Sequence, residues 1–207
     1  LGKGQILSTI VDKLSYRSSL KQTRHHLGDL MSTISEVKRG LLTPDSLRAI
    51  AKGNVAVIGQ ASKVISASLA DYTKRLPSKL GVAEPLFGEI YGELAGLAET
   101  AAAQPPFENL AQLAAAELET ALTEAATLGK TTPLTKWKNT WLAKNADNQY
   151  VLAGALEAAR MAELANVLEA YTAELETRGL YDFDDMILRA IQALETNLEL
   201  KYTLQER

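Results

Sequence analysis

Apolar residues along this chain recur every three or four positions, the spacing of one helical face, rather than every second position as in a strand. Residues 18–39 place Leu20, Leu27, Leu30, Met31, Ile34 and Val37 on one such face, with Gly40 as the expected C-terminal cap. In "LLTPDSLRAIAKG" the pattern restarts. Thr43 suits a cap, Pro44 the first helical position, and Asp45 the positive end of the helix dipole. Residues 55–76 repeat the period through Ile58, Ala61, Ile65, Leu69, Tyr72 and Leu76, and Pro77 and Gly81 break it. The opening "VAVIG" of that stretch would suit a short strand, but the period after it favours helix.

Two alanine-rich helices are expected at 86–102 and 106–128, separated by "QPPF" at 104–107. The second uses Leu110, Leu113, Ala114, Leu118, Ala121, Leu122, Ala125 and Leu128, with acids on its other face. Thr132–Pro133 opens a short helix through Trp137 and Trp141. A long helix is expected from about Gln149 to Arg178. Its Met161, Leu164, Leu168, Tyr171 and Leu175 are spaced as in a packed antiparallel helix pair, and Gly179 stops it. There is no Asn-Gly or Asp-Gly hairpin signal and no repeat of fixed period. The expected fold is therefore all-α and bundle-like.

The 207 residues suffice for one helical domain or two small ones. Apolar residues make up 46% and charged residues 23%, which excludes a disordered chain. No run of about 18 apolar residues occurs, so no membrane span is expected. The first residues, "LGKGQILSTIVDKLSYR", are amphipathic and lack signal-peptide anatomy. The chain has no cysteine, which excludes disulfides, thiol catalysis and Cys-type zinc sites and fits a cytoplasmic location.

Charge refines the picture because its mean of −3 hides blocks. Residues 1–80 balance to +8, 81–128 to −8, 129–150 to +3 and 151–207 to −6. The basic blocks suit a polyanion, with the acidic blocks turned away from it, although ordinary surface patchiness explains them equally well.

Several motifs invite chemistry. "LGKTT" at 128–132 has the Gly-Lys-Thr of a phosphate loop, but Glu124 stands where its first glycine belongs and a helix precedes it, so Gly129 reads as a helix stop. His25 and His26 are neighbours and point about 100° apart on a helix, which suits a His25–Asp29 surface pair better than a metal. "KTTPLTKWKNTWLAKN" surrounds two tryptophans with Lys130, Lys136, Lys138 and Lys144. Lysines neutralise phosphates and an indole can stack on a base, but Trp137 and Trp141, four apart, suit one buried helix face better. Lys38 and Arg39 in "SEVKRGLLTP" lie at a helix C-terminus, where the dipole alone would justify them and a phosphate contact is a further option.

"GLYDFDDMILRA" (179–190) packs three acids into four positions. Asp182 suits an N-cap, and Asp184 and Asp185 suit the first turn that follows, with its unpaired N–H groups. Leu180, Phe183, Ile187 and Leu188 are expected to fix the junction in a core. A metal site on the three aspartates is the sharper alternative, and no second ligand cluster lies close in sequence.

The same junction, "AYTAELETRGLYDFDDMILRAIQAL" followed by "LKYTLQER", resembles the segment before the Asp-Glu box of UvrD/Rep/PcrA-like superfamily 1 DNA helicases. The matching residues are Gly179, Leu180, Asp182, Phe183, Asp185, Ile187 and Leu188, with Glu206 and Arg207 at the exit and Met186 where leucine is usual. "ISEVKRGLLTPDSL" resembles that family's helix–lysine–Leu-x-Pro turn through Lys38, Leu42 and Pro44. The resemblance implies the helical 1B subdomain, with residues 1–54 its N-terminal part, 55–150 an enlarged helical insertion, and 151–207 the return segment leading to the motor domain. It implies no catalytic residue, metal or cofactor in this fragment, and ATP with Mg in a full-length parent that moves 3′ to 5′ on DNA. Partners would be single-stranded or tailed duplex DNA, the RecA-like motor domain of the same protein, and a protein at the 55–150 insertion.

The leading expectation is an accessory helical domain of an ATP-dependent DNA helicase. Lys38, Arg39, Lys130, Lys136, Trp137, Lys138 and Lys144 are the candidate DNA contacts, and Gly179, Asp182, Phe183 and Asp185 are the structural junction. The rival is a helical protein-interaction module with no nucleic-acid role, which the acidic middle would suit. A hydrolase built on the aspartates has little support.

Overall fold

The computed structural model describes residues 2–22, 27–72, 76–100, 109–197, 199 and 202–203. Among these the chain forms nine α-helices, a 3-10 turn at Ala70–Tyr72 and one two-stranded hairpin. The fold is all-α, as the periodicity predicts. The chain divides into two compact units, residues 1–48 with 160–207, and residues 49–159. No helix among the described residues is long and apolar enough to cross a membrane.

The first unit contains α1 (Lys3–Lys13), α2 (Ser19–Gln22), α3 (Leu27–Arg39), the opening of α4 (Pro44–Ser68), most of α8 (Ala155–Thr177) and α9 (Phe183–Thr196). Its core joins Leu7 and Val11 of α1 and Ile34 of α3 to Leu168, Tyr171 and Leu175 of the expected α8 stripe. Burying each of these larger side chains contributes about 1.5–3 kcal/mol. Gly179 ends α8 in the left-handed conformation (φ 63°), where glycine alone has no Cβ penalty. The end of α3 differs from expectation. Leu42 N–H donates to the Val37 carbonyl, and the left-handed residue is Leu41 (φ 57°), not Gly40.

The second unit contains residues 49–68 of α4, α5 (Leu80–Thr100), α6 (Leu110–Leu128), α7 (Thr132–Trp141), β1 (Leu142–Lys144) and β2 (Tyr150–Leu152). "VAVIG" lies inside α4, so the helical period is the correct reading. Phe87, Ile90 and Leu94 of α5 meet Ala114, Leu118 and Ala121 of α6 and Leu134 of α7 in one core. The alanines let α6 approach closely. α5 starts at Leu80, before the expected 86, so Gly81 and Pro85 lie inside it. Pro85 is the sixth residue of the helix, past the first turn, so the Gly81 carbonyl has no i+4 N–H to accept from there.

The hairpin overturns the expectation of helix from Gln149. β1 and β2 pair antiparallel, Leu142 opposite Leu152 and Lys144 opposite Tyr150. α8 therefore begins only at Ala155. Asn148 supplies the positive φ (61°) of the turn, while the Asn145 side chain accepts from the N–H groups of Asp147 (3.0 Å) and Gln149 (2.9 Å).

Candidate functional site

The three aspartates of "DFDD" answer to three residues of α3. Asp182 caps α9, accepting from Asp185 N–H through Oδ1 at 2.7 Å, and Asp185 returns the bond by accepting from Asp182 N–H at 3.2 Å. Each carboxylate keeps one oxygen, and both spare oxygens take the Lys38 ammonium, Asp182 Oδ2 at 2.7 Å and Asp185 Oδ1 at 2.5 Å. Asp184 accepts from Ser35 Oγ at 2.5 Å and from Arg39 Nε at 3.2 Å. Ser35, Lys38 and Arg39 fall at i, i+3 and i+4, one face of α3.

The Lys38 side chain is 4% exposed. Its ammonium lies 5.4 Å from the Tyr171 ring centre, so an aromatic face from α8 completes the cage. Burial pushes the Tyr171 phenol up to about 12, and the charges of Asp182, Asp185 and Asp184 add to that rise. Burial alone would raise the Asp182 carboxyl. The hydrogen bonds from Lys38 and from the Asp185 N–H outweigh it and hold the group below the usual carboxylate range.

This geometry revises the expected roles. Lys38 cannot meet a phosphate without leaving two carboxylates, whereas Arg39 pairs with Asp184 through Nε and keeps its side chain 69% exposed. The junction is not built in an apolar core: α9 has no buried residue, and Phe183 is 65% exposed, with Leu180 and Ile187 exposed as well. Asp182 and Asp185 set the junction, and Phe183 does so only as the first residue of the capped helix. Carboxylate oxygens taken by cations and N–H donors make an ion-pair lock. Sequence reading missed Ser35 and Tyr171 in it. The signal available for Ser35 was its place on the Lys38–Arg39 face.

The lysine-rich segment is built differently. Trp137 is 3% exposed, donates its Nε1–H to the Ala114 carbonyl at 3.0 Å and meets the Phe87 ring edge-on at 5.9 Å. It is a core residue and cannot stack on a base. Trp141 donates to Glu117 Oε2 at 2.7 Å. Lys130, Lys136 and Lys144 are exposed and Lys138 is half-buried. Lys130 follows Gly129, whose left-handed φ (63°) ends α6, so "LGKTT" is a helix stop. Lys136 shares an open groove of about 340 Å³ with Glu117 and Glu124. Lys138 and Lys144 bring their ammoniums to 5.3 and 4.0 Å from the centre of one ring, that of Tyr150. That ring was also missed, because the hairpin carrying it was. His25, His26, Glu206 and Arg207 lie outside the described residues.

No curated protein and no solved structure gives a significant match to the chain. The family model described as UvrD/REP helicase N-terminal domain matches residues 5–207, and the chain belongs to that family.

Proposed function

We propose that the chain is a helical accessory domain, of 1B type, of an ATP-dependent 3′ to 5′ DNA helicase, and that it guides single-stranded or tailed duplex DNA beside the RecA-like motor of the same protein. The observation that supports this most is the family match over residues 5–207. Phosphates would be met by the lysines of α7 and the hairpin, not by Lys38, whose charge is already neutralised inside the lock. The lock then has an architectural task. It fixes the angle at which α9 leaves α3, and the exposed apolar face of α9, with Phe183, Met186 and Ile187, would seat on the motor domain. ATP and Mg would bind the motor, in the cytoplasm, and none of the 207 residues is assigned to them.

Fluorescence anisotropy with a labelled tailed duplex tests the reading. Binding should weaken steeply as salt rises, since phosphate contacts release counterions. Absence of binding at low salt, or binding indifferent to salt, would remove the DNA role. The purified chain should hydrolyse no ATP, with or without DNA.

A second reading, a protein-interaction module without a nucleic-acid role, rests on residues 81–128, which carry eight acids and no Lys or Arg. Reversing the charge of the hairpin lysines separates the two. DNA guidance predicts weaker DNA binding, and the module reading predicts no change.

A further inference from the structure

The turn between α1 and α2 holds a tyrosine out in solvent. Ser18 N–H donates to the Ser15 carbonyl at 3.0 Å, which makes Tyr16 and Arg17 the two corner residues. Both are exposed, and Tyr16, at 88%, is the most exposed large apolar side chain among the described residues. The turn itself is fixed at both ends. Leu14 and Leu20, on either side of it, pack against the core of the first unit. Lys21 Nζ donates to the Asp12 and Leu14 carbonyls at 2.9 and 2.8 Å and so closes the C-terminus of α1. Ser18 is buried, and its hydroxyl donates to Glu163 of α8 at 2.8 Å. Within the turn, Arg17 N–H donates to Ser15 Oγ at 3.1 Å.

Neither the core nor the turn calls for tyrosine at position 16. Its ring buries almost nothing, so it forgoes the stabilisation that burial gives an aromatic. Turn corners favour Pro, Asp, Asn, Ser or Gly, for reasons a phenol ring does not share. What the position offers is a flat ring presented to solvent by an ordered backbone. Arg17 is its neighbour and Lys13 is the last residue of α1, and neither makes an ion pair among the described residues. The segment from Asp12 to Lys21 carries three cations and one acid. A ring beside cations suits a single nucleic-acid strand: the ring takes a base face and the cations take phosphates. A duplex keeps its base faces inside the stack and has none to offer. An apolar protein patch seated on the ring would have to desolvate the neighbouring charges without pairing them.

We propose that Tyr16 is a stacking platform for one base of single-stranded DNA, with Lys13 and Arg17 meeting the adjoining phosphates. The platform rests on the DNA-guiding reading above and gives the single-stranded part of the substrate a contact on the first unit. The hydroxyl of Tyr16 is not needed, only its ring.

The test measures binding of the chain to three fluorescein-labelled probes: an oligo-dT strand, an abasic strand of equal length, and a blunt duplex. Tyr16→Ala should weaken oligo-dT binding by about 5- to 150-fold, the worth of one stacked base. Tyr16→Phe keeps the ring face and should bind as the wild type does. The abasic strand and the blunt duplex offer no base face, so Tyr16→Ala should bind each as the wild type does, which also shows that the variant is folded. Salt separates the roles of the neighbours. Tyr16→Ala should leave the slope of log K against log salt unchanged, and Lys13→Gln/Arg17→Gln should lower its magnitude by about 1.4, two phosphate contacts on a single strand. A Tyr16→Ala loss of less than about twofold on oligo-dT, an equal loss on the abasic strand, an equal loss for Tyr16→Phe, or an unchanged slope in the double variant would overturn the platform while leaving DNA guidance standing. A wild-type chain that binds neither oligo-dT nor a tailed duplex would overturn both.

Discussion

α6 and α9 start in the same way and end in opposite situations. Each opens with a capping box, Asn109 with Gln112 for α6 and Asp182 with Asp185 for α9. α6 then buries Ala111, Ala114, Leu118, Ala121 and Ala125, and α9 buries nothing. The neutral box satisfies backbone donors, and Asn109 Nδ2 donates to the Ala98 carbonyl at 3.2 Å. The charged box also holds a lysine from another helix. A helix with an apolar seat needs its cap only to begin, whereas α9 is tied to α3 by the cap itself. Polar locking of this kind fixes an angle without occupying the apolar face, which stays available for another surface.

Truncation of the apolar faces gives the widest separation. Leu118→Ala should cost about 4 kcal/mol, within the range for a fully buried leucine. Met186→Ala on exposed α9 should stay within about 0.5 kcal/mol. Urea unfolding of both variants measures this, and a large loss at Met186 would end the contrast. Lys38→Met comes next, with a loss of about 3 kcal/mol, since it strands two carboxylates whose side chains are 10% and 14% exposed. Adding Asp182→Asn and Asp185→Asn to Lys38→Met should recover much of that loss. Asparagine keeps a cap oxygen and removes the stranded charge. Failure to recover would mean that the ion pairs are not what ties α9 to α3.

Acid and base should act on the lock and leave the α6 core untouched. Asp182 titrates lower in the folded chain than its ordinary value of 3.8. Its contribution is therefore fully present above about pH 4 and is lost as pH falls through the lower folded value. Tyr171 is shifted the other way, from 10.0 to about 12. The neutral phenol is the form the fold prefers, so its contribution is complete below pH 10 and declines as pH rises toward 12. Unfolding free energies from pH 2 to 12 for the wild type, Asp182→Asn and Tyr171→Phe check both signs. The difference between wild type and Asp182→Asn should shrink in acid, and Tyr171→Phe should flatten the alkaline limb.

Local chemistry was legible in the sequence and distant pairing was not. Gly129, Gly179 and Asp182 act where the sequence places them, because a helix stop or cap depends on a few neighbouring residues. The Lys38–Asp182 pair spans 144 positions, and periodicity carries no information at that distance. Leu180, Phe183, Ile187 and Leu188 read as core residues because apolar spacing cannot say whether this chain supplies the seat, and Leu180, Phe183 and Ile187 are exposed instead. The hairpin escaped because Asn148 holds the left-handed turn position where glycine is the strong signal. Its cue was the Asn145 side chain bonding forward along "NADNQ", a turn device that works without glycine.

The smallest effect concerns the turn that follows the lysine of the lock. Gly179 ends α8 and Leu41 ends the α3 turn in nearly the same left-handed conformation, φ 63° and 57°. An L-residue with a Cβ is disfavoured there by about 1–2 kcal/mol, and glycine is not. Leu41 is 58% exposed, so little apolar burial offsets that cost. Glycine also loses more chain entropy on folding, which returns part of the gain. Leu41→Gly should therefore stabilise the chain by about 0.5–1 kcal/mol in urea unfolding, while Gly179→Ala should destabilise it by a similar amount. If Leu41→Gly destabilises instead, the leucine side chain has a packing role that its exposure in this chain does not disclose. The polar face of α3 would then share the task of fixing this corner with an apolar contact.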